Sequence, residues 1–98
     1  MKLLRCGNIG KEKPAALDKS GKIKDISSYI DDFNPENINF LNLEKLKKID
    51  LENLPEIPKS TRISSCITKP SKFIGIGLNF SDHAAEIGAE IPKEPIIF

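Results

Sequence analysis

The chain is expected to fold as an α+β protein, a small domain of strands and short helices followed by a strand–helix–strand unit. Three observations point there. Short apolar stretches with period-2 alternation are separated by Gly, Pro and Asp turns, as in small antiparallel sheets. Phe40, Leu43, Leu46 and Ile49 recur every three residues, which makes one apolar stripe on a helix. Residues 54–60 carry two prolines in four positions, a stiff extended connector that divides the chain into residues 1–60 and 61–98.

In chain order, residues 2–5 and 14–18 read as strands. The cluster Asp18-Lys19-Ser20-Gly21 reads as a turn, with Gly21 free to take a positive φ. Residues 22–26 alternate apolar and polar and should close a hairpin on that turn. Residues 27–33 fit a short helix capped by Ser27 or Asp25, ended by Asn34-Pro35. A second helix is expected over 43–49 with Asn42 as its cap, and with Lys47 and Lys48 suited to its C-terminus. Residues 62–68 read as a strand. Residues 73–78 are nearly all apolar, so a strand buried on both faces is expected. A helix follows over 81–87, with Gly88 as its stop. Residues 95–98 open another strand with no evident partner, an ending expected of an N-terminal piece of something longer.

Composition narrows the function. The 98 residues suffice for one small, marginally stable domain. With a net charge of +1, scattered lysines, one Tyr and no Trp, the chain offers no basic, stacking surface, so no nucleic-acid partner is expected. The N-terminus lacks the apolar core of a signal peptide and no apolar run reaches membrane-spanning length. No membrane partner and a cytoplasmic location are therefore expected. Cys6 and Cys66 form no C-x-x-C motif and, with one histidine, no zinc set; two buried thiols are expected.

The most informative stretch runs from Lys72 to Glu86. It holds the only histidine, His83, with Glu86 three residues on and hence on the same helix face. A carboxylate beside an imidazole can fix its tautomer and raise its basicity, which suits a general base acting on water. The same residues also describe an ordinary helix start with a solvated surface pair. Gly75 and Gly77 lack the third glycine of a dinucleotide fingerprint. They serve either close backbone packing or room for a ligand.

At these positions the chain resembles the fumarylacetoacetate hydrolase family. Residues 77–86 read G-L-N-F-S-D-H-A-A-E, similar to that family's G-L-N-Y-x-D-H-A-x-E, and Pro92-Lys93-Glu94-Pro95 with Ile96-Ile97-Phe98 matches its P-x-x-P and apolar strand. Phe80 stands where Tyr is common. The resemblance implies a truncated β-rich catalytic domain from residue 61 and a metal-dependent enzyme acting on 2-oxo or 1,3-dicarbonyl acids by hydrolysis, decarboxylation, isomerisation or hydration. It implies Mg2+ or Mn2+ as cofactor and a homodimer at full length. It makes His83 the general base, Glu86 its orienting partner on a short lid helix, and Gly77 and Asn79 substrate-contacting positions. The family's acidic metal ligands have no match here. Asp82, Glu90 and Glu94 lack metal-ligand spacing, so no metal is expected on this chain and it should be inactive alone. The alternative is an interaction module whose apolar Ile96-Ile97-Phe98 edge pairs with a partner subunit or a C-terminal half.

Overall fold

The computed structural model describes residues 1–98 and is an α+β protein. Strand β1 (Lys2–Cys6) pairs antiparallel with β2 (Lys13–Leu17), setting Leu3 opposite Ala16 and Leu4 opposite Ala15. Strand β3 (Ile23–Asp25) pairs with β2 through the turn at Asp18. The Asp18 carboxylate accepts from the Ser20 amide, the Ser20 hydroxyl and the Lys22 amide. Those bonds, the Ser20 hydroxyl first, hold its pKa below the ordinary carboxylate value. Gly21 takes φ +81°, as the turn requires.

Alternation puts successive residues of a strand on opposite faces of this sheet, and cross-strand partners on the same face. Ala16 and Leu3 face a cluster with Ile26, Ile30, Phe33 and Leu46. Cys6, Ala15 and Ile23 form a second cluster with Leu4, Leu17 and Ile57 on the other face. Arg5 projects from β1 and is buried, and its guanidinium grips Asp32 with two bonds, Nε to Oδ1 at 2.6 Å and Nη2 to Oδ2 at 3.0 Å. Lys24 is also buried and donates to the Glu52 and Leu54 carbonyls, which satisfies its ammonium without a carboxylate.

Five expectations about the first sixty-eight residues are corrected. Residues 27–33 make one turn and no helix: Tyr29 and Ile30 both donate to the Ile26 carbonyl. Beyond that turn Asp32 is drawn to Arg5 and its carboxylate accepts the Phe33 amide, so tertiary contact replaces helical bonding. Helix α1 spans Phe40–Lys47, starting earlier than expected, because Asn39 is its cap and accepts the Asn42 amide at 2.9 Å. Leu46 is buried and Leu43 and Ile49 pack against the same cluster, whereas Phe40 is 76% exposed and leaves the stripe. The proline connector contains strand β4 (Glu56–Ile57), which pairs with β3 and completes the order β1-β2-β3-β4. An edge position tolerates its flanking prolines. Residues 62–68 are no strand; only Ile63 bridges to Cys6, with Gly7 donating to the Arg62 carbonyl and Ser64 to the Arg5 carbonyl. The Ser65 hydroxyl then bonds the Ile67 carbonyl and the chain bends away. Cys66 there is exposed rather than buried.

The remaining segment holds strand β5 (Ile76–Gly77), helix α2 (Ser81–Glu86) and strand β6 (Ile96–Ile97). Strands β5 and β6 pair antiparallel, so Ile96, Ile97 and Phe98 have a partner after all. The expected strand over 73–78 shrinks to two residues and is not buried: Phe73 is 93% exposed and Ile74 is exposed too, because no second layer covers them. Neither apolar cluster draws a residue from 69–98. The radius of gyration is 18.1 Å, against about 13 Å for a compact chain of this length. No helix is long and apolar enough to cross a membrane.

Candidate functional site

The candidate site sits where β5 gives way to α2. Leu78 follows β5 with φ +49°, a left-handed conformation uncommon for a branched side chain. It turns the chain so that Phe80, in extended conformation, starts the helix. No side chain caps the helix at Phe80. The Asp82 carboxylate instead accepts the His83 amide at 3.0 Å, placing a negative charge on the first turn where the helix dipole favours it. The helix stops at Ile87, where Gly88 takes φ +66° and donates to the Ala85 carbonyl while Ala89 donates to Ala84.

This short helix turns His83 and Glu86 to the same side. Nδ1 of His83 lies 3.5 Å from Oε2 of Glu86, at the outer limit of a hydrogen bond. Their side chains are 56% and 75% exposed. The two groups are side by side and open to water. An exposed pair at this distance is weakly held.

Gly77 and Asn79 lie elsewhere in the unit. They line a groove of about 310 Å³ between residues 76–79 on one side and 91–95 on the other, where Lys93 and Glu94 add the charges. His83 and Glu86 are not among its lining residues. A Cβ on Gly77 would come within 2.7 Å of the Phe98 ring, whereas one on Gly75 would meet nothing within 4 Å. Close packing therefore explains the glycine at 77, and the ring of Phe98 fills the space a side chain would take.

The acids do not assemble a metal site. No three His, Cys, Asp or Glu side chains come together, and Asp82 spends its carboxylate on the His83 amide. The donor set of this chain does not fit a resident divalent cation.

Sequence reasoning missed a larger hollow, about 450 Å³, between the Asp18–Ser20 turn and residues 49–52. It forms only when the segment after α1 returns beside the hairpin, so no local motif announces it. The pair of Arg5 and Asp32 was equally silent, since 27 positions separate the partners. It holds the Asp32 carboxyl below the ordinary value, chiefly through the Arg5 hydrogen bond. The Cys6 thiol is raised by burial, which keeps it protonated and unreactive.

No family model matches the chain. Along all 98 residues it is 46% identical to a protein of Burkholderia ambifaria, 47% identical to one of Burkholderia cenocepacia and 45% identical to one of Burkholderia multivorans. Each carries the name "Putative hydrolase". Each match takes in the whole of this chain and 35% of the relative, so the chain spans about a third of the length of the curated relatives it matches.

Proposed function

We propose that the chain is the N-terminal part of a hydrolase of the fumarylacetoacetate hydrolase type, acting on 2-oxo or 1,3-dicarbonyl acids. The observation that carries this reading is the imidazole–carboxylate pair of His83 and Glu86, held on one face of a helix that leaves a strand end. The motif of residues 77–86 supports the family, and the names of the relatives favour hydrolysis over isomerisation or decarboxylation. The division into residues 1–60 and 61–98, the cytoplasmic location and a full-length homodimer belong to the same proposal.

The chemistry assigned to this chain's residues is short. Glu86 accepts from one ring nitrogen of His83 and fixes the tautomer, leaving the other nitrogen free to accept a proton. His83 takes that proton from a water whose oxygen bonds to the acyl carbon of the substrate. The carbon–carbon bond breaks, and the proton held by His83 returns to the carbon that leaves as an enolate. Gly77 and Asn79, in the neighbouring groove, contact the substrate. The Mg2+ or Mn2+ of such enzymes would polarise the substrate carbonyl and stabilise the leaving enolate; this chain supplies no ligand set for it.

The test is a chimera in which this chain replaces the matched third of the Burkholderia ambifaria relative, assayed with acylpyruvates and Mg2+. Release of pyruvate and the corresponding carboxylic acid by the chimera, and none by the 98-residue chain alone, is the expected outcome. Turnover by the chain alone, or none by a folded chimera on any acylpyruvate, would defeat the reading.

A further inference from the structure

The second sheet is two strands wide and stands apart from both apolar clusters. Gly75 and Phe98 exchange both of their backbone hydrogen bonds, and Gly77 faces Ile96 in the next bonded register. Ile76 and Ile97 lie between these pairs, so their amides and carbonyls turn outward, one set to each free edge. Their side chains share one face, with Ile96 and Phe98 on the other. Ile97 is 66% and Phe98 78% exposed, and Phe80 and Ile87 at the two ends of α2 are exposed as well. An isolated two-stranded ribbon is marginal in water, and one with apolar faces and open edges is a template for a further strand.

The first sheet contrasts with this. Its β1 edge is bridged by residues 62–64 and its β4 edge is flanked by Pro55 and Pro58. Nine of the sixteen exposed large apolar residues fall within 73–98. The match to the Burkholderia proteins runs through this ribbon and leaves about 65% of each relative outside it. That length of polypeptide accompanies the ribbon in every one of them and is large enough to supply a sheet and a core.

We propose that the apolar faces of β5 and β6, with the ends of α2, are a docking surface for the polypeptide that forms the unmatched two-thirds of these relatives. That polypeptide adds a strand to the outer edge of β6, pairing with the Ile97 amide and carbonyl, and covers Ile97 and Phe98. This goes beyond the catalytic reading and stands or falls without it, because the contact needs neither His83 nor Glu86.

The experiment mixes this chain with the unmatched portion of the Burkholderia ambifaria relative, followed by sedimentation and hydrogen exchange. The expected result is a one-to-one complex in which exchange of the Ile97 amide slows at least tenfold while the β1–β3 amides are unchanged, and in which Ile97→Lys weakens binding at least tenfold. A folded portion that does not bind overturns the proposal, as does binding that leaves Ile97 exchange untouched. Self-association of this chain that protects Ile97 overturns it in favour of a second copy. If the separate portion does not fold, the whole relative decides. Exchange at its residue aligned with Ile97 must be at least tenfold slower than at Ile97 in the 98-residue chain; equal rates overturn the proposal.

Discussion

Replacing Asp32 with Asn isolates the strongest polar link in the first sheet. The Arg5 side chain is 7% exposed and the Asp32 side chain 26%, and two charge-assisted bonds join them. Breaking a buried ion pair by neutralising one partner costs about 3–5 kcal/mol, because the other charge stays buried. Two features reduce the figure here. Asn keeps an oxygen that can accept from Arg5 and from the Phe33 amide, and Asp32 is partly wet. The Arg5 guanidinium also retains a 3.4 Å contact with the Ser65 carbonyl. A loss of about 2 kcal/mol remains, which for a chain of this size lowers Tm by about 8–16 °C. Urea and thermal unfolding followed by circular dichroism measure it. The pH dependence gives an independent check. The folded pKa of Asp32 is depressed, so its stabilisation is fully present above the unfolded value of about 3.9 and is lost as pH falls through the lower folded value. The gap between Asp32→Asn and the parent should therefore be constant from pH 5 to 8 and close in acid. A gap under about 0.5 kcal/mol at pH 7, within the range of ordinary surface changes, or one that survives below the folded pKa, would refute the reasoning.

Two further substitutions probe local structure. Asn39→Ala removes the cap of α1 and should cost about 1 kcal/mol, read as a lower urea midpoint with an unchanged m-value; an unchanged midpoint would place the cap elsewhere. Gly77→Ala forces the Phe98 ring aside, so exchange at the Gly75 and Phe98 amides should quicken while the unfolding midpoint of the first sheet stays put. Unaltered exchange would mean that the ring does not occupy that space in solution.

What could be read from the sequence was local. Asp18 and Gly21 announce the hairpin because the turn is closed by their own side chain and φ preference. Gly88 announces the end of α2 for the same reason, and the i,i+3 spacing of His83 and Glu86 by itself puts them on one side of a helix. Misreadings came wherever a distant residue competes with local preference. Residues 27–33 have a helical pattern, but Arg5 captures Asp32 and ends the first turn. Glu56 and Ile57 look like linker and become an edge strand because β3 has an open side. The apolar run 73–78 resembles a buried strand; its exposure follows from the absence of a covering layer, which sequence periodicity does not report. The groove that holds Gly77 and Asn79 depends on residues 91–95 returning beside β5, a long-range event with no local signal.

In the proposed chemistry His83 carries the proton in the acyl transfer to water. Its most direct test is His83→Ala in the chimera with the Burkholderia ambifaria relative, comparing kcat on an acylpyruvate at fixed Mg2+ with that of the unsubstituted chimera. Loss of a general base predicts a fall of about 10²–10⁴-fold in kcat with the fold intact by circular dichroism. A folded His83→Ala chimera that turns over at the unsubstituted rate would contradict the account and leave the pair as an ordinary surface contact on α2.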